Sequence, residues 1–442
     1  MVLFLGTIPD IRVSLRVERF KKMSHGGAHH SPMKNSTPQA TKDHHPSSRI
    51  MTTDDPIVAQ MRRLVQSTPG TASLAQGIVY WSPPEQALEY VKKVMVDEEV
   101  LPTLHGYGAD EGLAVLREAL MEKMAGENGL EEYRVFVTHG AQQAFANVVI
   151  ALLDQGDTSV LFAPYYFNHK MAIQMTVGVD SVVVGPPKDT QSMRPDVDWL
   201  EQYFRENTAP KMVVLVNPSN PTGVMMSKEE LDRVSALCGQ YGSWLVIDNT
   251  YEHFVYDDNT HYCPSGKHVL HIFSFSKAFG MMGWRQGYLA YHKDAPDNLE
   301  WMFLKVQDTV PICATLLSQY MSLGALEAGR PWVAERVKML EDNRQEVLRA
   351  VSCLGKENIA PSEGAIYIFC RLPEDCKDDE KVVEWLVKKH KVCVIPGTSC
   401  GAPGYIRIAF GNLPFDACKQ AAARLEVGLQ ELIQHGISSI AP

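Results

Sequence analysis

The stretch MVVLVNPSNPTGVMMSKEELDRVSALCGQYGSWLVIDNTY, residues 212–251, contains the pattern that decides the fold. Two near-continuous apolar runs, MVVLV and WLVID, enclose the amphipathic segment SKEELDRVSALCGQYG. Ser227 and Glu230 have the spacing of a capping box, which marks the start of a helix. A strand, a helix and a second strand of this kind predict a parallel β-α-β unit whose sheet is covered on both faces.

Similar apolar runs recur on both sides of this unit, with helical patterns between several of them. The runs are RVFV (134–137), SVLF (159–162), SVVV (181–184) and HIFSF (271–275). This alternation predicts an α/β fold with a mainly parallel, doubly wound sheet. The pattern changes after Pro311, and a long helical pattern from Pro331 (331–355) leads to GAIYIFCRL, KVCVIP and YIRIAF, which predict a smaller α/β domain. We therefore assign an N-terminal arm with part of the small domain to 51–100, the large domain to 101–310, and the small C-terminal domain to 311–442.

The first fifty residues differ from the rest of the chain. The segment 24–49 is rich in Ser, Pro, His, Gly and Thr and has no apolar period, so we expect residues 1–50 to be a disordered extension. Its histidines form a biased tract, which is usually passive rather than metal-binding: His25, His29, His30, His44 and His45. Arginines and apolar residues before it leave an organelle transit segment as an alternative, which Asp10 and Glu18 weaken.

Composition excludes several classes of protein. The chain has 442 residues, 45% of them hydrophobic, without the eighteen or so consecutive apolar residues of a membrane span. A formal net charge of -10 argues against nucleic acid or an anionic membrane as the main partner. Nine cysteines are scattered without CxxC or metal-ligand spacing, so we expect no metal site and a reducing compartment, by default the cytoplasm.

Polar residues stand where the strands end, which is where open α/β sheets bind ligands. Lys277 follows an apolar run in SFSKAFGMMGWRQGY, with Ser274, Ser276 and Arg285 around it. A solvated lysine at a strand exit is the simpler interpretation of Lys277 alone. Hydroxyl groups and a guanidinium, however, suit a phosphate dianion.

Three further strand ends carry similar signals. Asp248 ends an apolar strand in WLVIDNTY, where an aspartate is often a helix N-cap. NPSNPTG (217–223) predicts a rigid turn. In VTHGAQQAF a strand turns through Gly140 into a helix, whose N-terminal amides can bind phosphate. Together these groups predict a ligand with a phosphate, a ring nitrogen, a ring oxygen and an aldehyde, and pyridoxal 5'-phosphate has all four.

The motifs NPSNPTG, DNTY, SFSKAFGMMGWRQGY and YIRIAF, in this order, resemble the signature of class I/II aminotransferases of fold type I. The resemblance runs from about residue 56 to residue 436 and implies a seven-stranded, mainly parallel sheet. The segments SLAQGIVYWSPP, PYYFN, VIDNTYEHF and EGAIYI further resemble plant cytosolic aromatic aminotransferases that use methionine as amino donor. This implies transamination between methionine, phenylalanine, tyrosine or tryptophan and a 2-oxo acid such as phenylpyruvate or indole-3-pyruvate, as in auxin-related metabolism.

The resemblance also implies roles for individual residues. Lys277 would hold the cofactor aldehyde and move the proton of the substrate carbon. Asp248 would keep the pyridine nitrogen protonated, and Asn220 and Tyr251 would bind the ring oxygen. Further cofactor contacts are implied for Gly140, Ala141, Gln142, Tyr166, Ser274 and Arg285, and for Tyr107 toward a neighbouring subunit of a homodimer. Arg407, with Gly77 and Asn220, would bind the substrate, and His169 would support Asp248.

The substrate pocket has two interpretations at this stage. Residues 77–81, GIVYW, lie where the family closes its pocket, and they are apolar and aromatic. Tyr80 and Trp81 either form a wall that suits aromatic or thioether side chains or pack between the domains. Other functions also stay open: an aspartate or prephenate aminotransferase, a lyase such as aminocyclopropane carboxylate synthase, and the effector domain of a DNA-binding regulator.

Overall fold

The computed structural model of the chain describes residues 44–436 and Ser438. The strands in this part are β1 Ala72–Ser73, β2 Tyr133–Thr138, β3 Ser159–Phe162, β4 Val182–Gly185, β5 Met212–Val216, β6 Trp244–Asp248, β7 Val269–Ser274, β8 Gly287–His292, β9 Tyr367–Arg371, β10 Val392–Cys393, β11 Ile395–Pro396 and β12 Tyr405–Ala409. The α-helices are α1 Ser48–Thr52, α2 Ile57–Ser67, α3 Glu85–Val96, α4 Ala114–Asn128, α5 Ala141–Leu152, α6 Phe167–Thr176, α7 Val197–Glu206, α8 Lys228–Tyr241, α9 Leu299–Thr309, α10 Leu316–Val351, α11 Asp379–Trp385 and α12 Phe415–His435.

The large sheet has seven strands in the order β2-β8-β7-β6-β5-β3-β4. All neighbouring pairs are parallel except those of β8, which runs antiparallel to both β2 and β7. The predicted α/β class and mainly parallel seven-stranded sheet are confirmed. The predicted β5-α8-β6 unit is present, with both halves of the capping box between Ser227 and Glu230 formed. Because β5, β6 and β7 lie side by side, their carboxyl ends meet at one edge.

Both faces of this sheet are covered, which explains the continuous apolar runs. Side chains alternate along β5, where Val214 packs with Phe145 of α5 and Phe303 of α9. The neighbouring Val213 faces the other way, into a cluster with Leu231 of α8. The strands therefore need apolar residues at every position, as in other doubly covered parallel sheets.

A second group of strands lies beyond α10. Strands β11, β12 and β9 form an antiparallel sheet, and β10 pairs in parallel with β1. The prediction of one strand over KVCVIP is wrong, because β10 and β11 separate at Val394 and join different sheets. The range of α10 contains two helical segments, because Gly329 breaks the helix with φ +64°, and the second segment begins near Pro331, as predicted. The sequence-based domain boundaries remain predictions.

The N-terminal region is described from residue 44 onward. Helix α1 begins at Ser48, within the last residues of the predicted disordered extension, and Arg49 donates a hydrogen bond to the Thr176 carbonyl at 2.5 Å. Residues 1–43, with three of the five tract histidines and the alternative transit segment, lie outside the described part. Within the described part, no helix combines the length and apolar character needed to cross a bilayer.

Candidate active site

A cavity of about 330 Å³ opens where β5, β6 and β7 end. Eleven of the residues selected from the sequence line it: Gly77, Ala141, Gln142, Tyr166, Asn220, Asp248, Tyr251, Ser274, Lys277, Arg285 and Arg407. These residues come from the large sheet, from α5, from the segment before α3 and from β12. The fold therefore brings together residues up to 330 positions apart.

Asp248 is the buried acid of the cavity, at the last position of β6. Its Oδ2 lies 3.1 Å from Nε2 of His169, and its Oδ1 accepts the Thr250 backbone N–H at 2.9 Å. Burial by itself raises the pKa of Asp248, but the bond and charge of His169, with the bonds from Thr250, outweigh it. The pKa is therefore below its ordinary value, and Asp248 stays ionised at neutral pH.

Lys277 follows β7 and is half-buried in the cavity wall. Burial lowers the pKa of its amino group to about 8, helped by the positive charges of Arg285 and Arg407 and opposed by Asp248. With that pKa, about a tenth of the amino groups are unprotonated at pH 7. A neutral amine is a nucleophile and a base, and an ammonium ion is neither.

One end of the cavity is built to receive an anion. Helix α5 begins at Ala141 after Gly140, which has φ +79°, and no side chain caps its first turn. The guanidinium of Arg285 donates from Nη2 to the His139 carbonyl at 3.1 Å, which holds it beside this turn. A Cβ atom on Gly140 would lie 2.6 Å from Nη2 of Arg285, so a larger residue there would push the guanidinium away from this turn. Ser274, with its hydroxyl accepting the Ser276 N–H at 3.1 Å, also lines the cavity.

Arg407 lies at the other end, on β12, with 1% of its surface exposed. Its Nη1 donates to Oδ1 of Asn220 and its Nη2 to the carbonyl of Ala75, both at 2.8 Å. Its Nε has no hydrogen-bond partner among residues 44–436. A buried guanidinium fixed by two neutral acceptors keeps its full charge for an incoming carboxylate.

Two tyrosines close the cavity between these ends. The hydroxyl oxygens of Tyr251 and Tyr367 lie 2.5 Å apart, and burial raises the pKa of Tyr251 well above its ordinary value. A Cβ atom on Gly77 would lie 2.0 Å from the Tyr367 hydroxyl, so the chain at residue 77 passes directly over it. Tyr166 precedes α6, and its hydroxyl accepts a hydrogen bond from Nδ2 of Asn168 at 2.8 Å.

The chain resembles known proteins over most of its length. The sequence pattern of the family described as Aminotransferase class I and II matches residues 73–425. Aromatic aminotransferase ISS1 of Arabidopsis thaliana is 48% identical over 392 residues, which cover 88% of this chain and 98% of that protein. The chain belongs to the class I and II aminotransferases.

Solved aminotransferase structures share the fold. The aromatic aminotransferase from Pyrococcus horikoshii OT3 superposes with a TM-score of 0.74 at 26% identity, over 86% of this chain and all of that one. The aspartate aminotransferase from Thermus thermophilus with maleate gives a TM-score of 0.78 at 25% identity, over 88% of this chain and all of that one. This aminotransferase is a transaminase whose cofactor is pyridoxal phosphate.

The cavity of the aminotransferase fits that cofactor. An uncapped helix start, a glycine with positive φ before it and an adjacent arginine suit its phosphate. An ionised, buried aspartate suits its ring nitrogen, and a lysine with a lowered pKa suits its aldehyde.

Three aromatic residues selected from the sequence lie outside the cavity lining formed by the described residues. Tyr107 is 82% exposed, and its expected contact with the cofactor of a neighbouring subunit stays a prediction. Tyr80 and Trp81 do not line it within that part either, although Gly77 and Ile78 do. Instead, Trp81 is buried and stacks on Phe254, with ring centres 6.2 Å apart. The alternative that these two aromatics serve packing is therefore the one the structure supports.

Sequence reasoning missed several residues of the cavity, and Tyr367 and Arg62 are the two with polar groups of most interest. Tyr367 lies in GAIYIF, where an aromatic residue in an apolar strand does not indicate a polar role. Arg62 lies in QMRRLV of α2, where a basic residue on an amphipathic helix normally faces solvent. The sequence around Tyr367 and Arg62 does not identify them as site residues, because only tertiary contacts place them at the cavity.

The lowered pKa of Lys277 has a measurable consequence. In cofactor-free protein, the rate at which pyridoxal phosphate becomes covalently attached should rise about tenfold per pH unit below about 8 and level off above it. The rise follows the fraction of unprotonated amine. Stopped-flow absorbance measures the attachment rate. The same reaction with a lysine peptide in solution is the control, because it shows how much of the pH dependence comes from the aldehyde itself. Levelling only near the ordinary lysine value of 10.5 would contradict the assignment.

Proposed function

We propose that the enzyme transfers an amino group between an apolar or aromatic L-amino acid and an aromatic 2-oxo acid. The donors are methionine, phenylalanine, tyrosine and tryptophan, and the acceptors are phenylpyruvate and indole-3-pyruvate. The observation that carries this proposal is the apolar wall beside Arg407, formed by Val58, Ile78 and Phe167. The ring of Phe167 lies 5.6 Å from Cζ of Arg407, so an amino acid held there by its carboxylate meets an apolar surface.

The similarity to Aromatic aminotransferase ISS1 supports the same substrate class. An apolar pocket discriminates side chains mainly by size, so it can accept both aromatic and thioether groups. The enzyme would then use one pocket for the side chains of donor and acceptor in turn.

Each residue has a defined task in this proposal. Arg407 binds the substrate α-carboxylate, already oriented by Asn220 and Ala75. Asp248, kept ionised by His169, holds the proton on the cofactor ring nitrogen. The amino group of Lys277 accepts the proton of the substrate α-carbon and returns it on the cofactor side.

The phosphate is assigned to Arg285, Ser274 and the turn Gly140–Gln142, where the α5 amides point into the cavity end. Pyridoxal phosphate supplies an aldehyde that links to amines and a ring that withdraws electrons from the α-carbon. Tyr166 lies along one wall for the ring, and Tyr251, bonded to Tyr367, contributes a hydroxyl toward its oxygen. The arrangement provides two anion-binding sites, one for the cofactor phosphate and one for the substrate carboxylate, and a protein carboxylate, Asp248, for the ring nitrogen.

A panel of donor and acceptor pairs tests the substrate class. Methionine or phenylalanine with phenylpyruvate or indole-3-pyruvate should give the highest kcat/KM, measured by chromatography of both products. The pair aspartate and 2-oxoglutarate serves as the comparison. A strong preference for that pair would overturn the proposal, and release of methylthioadenosine from S-adenosylmethionine would place the enzyme among the lyases.

A homodimer follows from the same reasoning. Tyr107 is 82% exposed and Val310 60% exposed, so both side chains are available for contact with a second copy. A second copy of the chain would cover both and would bring Tyr107 to the phosphate of its partner. Light scattering should give twice the chain mass of 49.3 kDa. We place the dimer in the cytoplasm, supported by nine cysteines that are all free in the described part.

A further inference from the structure

One short turn carries two of the residues that the proposed function assigns to the cofactor ring. The Glu252 backbone N–H donates to the Asn249 carbonyl at 2.9 Å, which closes a turn over residues 249–252. Tyr251 lies inside this turn, and Asp248 directly precedes it. Asp248 and Tyr251 both line the cavity. Their positions relative to the ring therefore depend on what fixes the two ends of the turn.

Asn249 forms the first end, and its side chain is completely buried. Its Nδ2 donates to the Ile247 carbonyl at 3.0 Å and lies 3.1 Å from Nδ1 of His271 on β7. Its Oδ1 lies 3.1 Å from Nε2 of His261. The amide group of Asn249 therefore connects its own strand, the neighbouring strand and the loop that follows the turn.

The hydrogen bonds of this amide can run in one direction only. Nε2 of His271 lies 3.0 Å from the Pro264 carbonyl, which can only accept, so Nε2 carries the ring proton. Nδ1 of His271 then accepts from Nδ2 of Asn249, and Nε2 of His261 donates to Oδ1. Burial lowers the pKa of His271 to about 4 and also lowers the pKa of His261, which keeps both rings neutral at pH 7. A reversed amide would face two acceptors with its oxygen, so the orientation of Asn249 is fixed.

Glu252 forms the other end of the turn and is fixed by an ion pair. Nζ of Lys123 on α4 lies 2.5 Å from its Oε1, and Nδ2 of Asn128 donates to its Oε2 at 2.8 Å. The side chains of Lys123 and Glu252 are 10% and 9% exposed, so water and salt screen the pair only weakly. With this end fixed, the amide of Asn249 decides where the start of the turn lies.

We propose that Asn249 is a positioning residue of the transamination, which holds Asp248 at the ring nitrogen and Tyr251 at the ring oxygen of the cofactor. The inference rests on the roles that the proposed function gives to Asp248 and Tyr251. Misplacing a reacting group by about 1 Å can cost about a hundredfold in rate, so the contacts of a residue that never touches the cofactor can control the reaction.

The test uses Asn249→Ala, which removes the amide without adding a charge. Three quantities are measured: kcat with methionine and phenylpyruvate, the pH midpoint of the absorption band of the bound cofactor, and the affinity for 3-phenylpropanoate by calorimetry. We expect kcat to fall about tenfold or more and the midpoint to shift by about half a pH unit or more. The affinity should stay within about twofold, because Arg407 is oriented by Asn220 and Ala75 and not by the turn.

Two variants of His261 test the same hydrogen bond from its other side, and they apply even if Asn249→Ala does not fold. His261→Ala removes the donor to Oδ1 of Asn249 and should shift the midpoint in the same direction. His261→Gln keeps an N–H donor and should recover most of the loss. Asn259→Ala removes an exposed asparagine of the following loop, is the matched control and should behave as the wild type.

An unchanged kcat and midpoint in Asn249→Ala would overturn the inference. Equal losses in kcat and in 3-phenylpropanoate affinity would do so too, because they would indicate a general loosening of the fold. Asp248→Asn is measured in parallel, and an unchanged midpoint in that variant would show that the role proposed for Asp248 is wrong. If the wild type instead prefers aspartate and 2-oxoglutarate, the proposed substrate class is wrong, and the midpoint still decides the role of Asn249.

Discussion

Replacing Lys277 with alanine is expected to remove transamination and the visible absorption band of the covalently attached cofactor. In the proposed function this residue supplies both the nucleophile for the aldehyde and the base for the substrate proton. Loss of a general base alone costs about 10²–10⁴-fold in rate, and here the covalent attachment is lost as well. We therefore expect kcat below about a thousandth of the wild-type value in a coupled assay.

Borohydride reduction followed by mass spectrometry provides a direct measurement of the attachment. The wild type should carry the cofactor on the peptide that contains Lys277, and the variant on no peptide. Lys267→Ala, which removes an exposed lysine near the start of β7, is the control and should behave as the wild type. A variant that still turns over, with cofactor fixed to another lysine, would falsify the assignment.

Replacing Asp248 with asparagine is expected to leave the shape of the site nearly unchanged and to remove most of the activity. The asparagine side chain is neutral and cannot balance a protonated ring nitrogen. Breaking a buried charge pair costs about 3–5 kcal/mol. If that energy is lost in the transition state, kcat/KM falls by about a hundredfold to several thousandfold. Steady-state kinetics with saturating cofactor measure the change.

The effect of the Asp248 charge on activity can be separated from the effect of its shape. Asp248→Ala is loaded with a cofactor analogue whose ring nitrogen is methylated and therefore permanently positive. Activity should recover in part, because the analogue no longer needs a carboxylate to hold a proton. Asp196→Asn, which changes the N-cap of α7 outside the cavity, is the control and should retain full activity. Equal activity of Asp248→Asn and the wild type would show that the carboxylate has no electronic role.

The fold was predictable wherever burial on both faces left a continuous apolar run. Strands β3, β5 and β6 have the predicted bounds, because their sequences contain only core residues between turn signals. Strand β8 was missed, since GYLAYH directly follows a glycine-rich segment and contains two tyrosines and a histidine. The second segment of α10 was predictable from Pro331, because Gly329 breaks the helix and proline is favoured in a first helical turn, whereas the first segment, from Leu316, was not predicted.

The site was predictable where chemistry requires a rare residue at a strand end. A lysine and an aspartate after apolar strands are such cases, and Lys277 and Asp248 both lie in the cavity. Tyr367 and Arg62 could not be found in this way, because tyrosine in a strand and arginine on a helix are common. Their positions depend on how β9 and α2 pack against the large sheet, which is a tertiary property.

The bond between Arg407 and the carbonyl of Ala75 has a thermodynamic consequence. It joins the carboxylate-binding residue to the segment between β1 and α3, which also passes over Tyr367 at Gly77. If the segment detached, Arg407 would lose one of the two acceptors that orient it. Carboxylate binding and attachment of the segment are therefore reciprocally coupled, and each increases the equilibrium constant of the other by the same factor. Substrate binding should therefore slow hydrogen exchange in the whole segment, including the amides that the substrate does not contact.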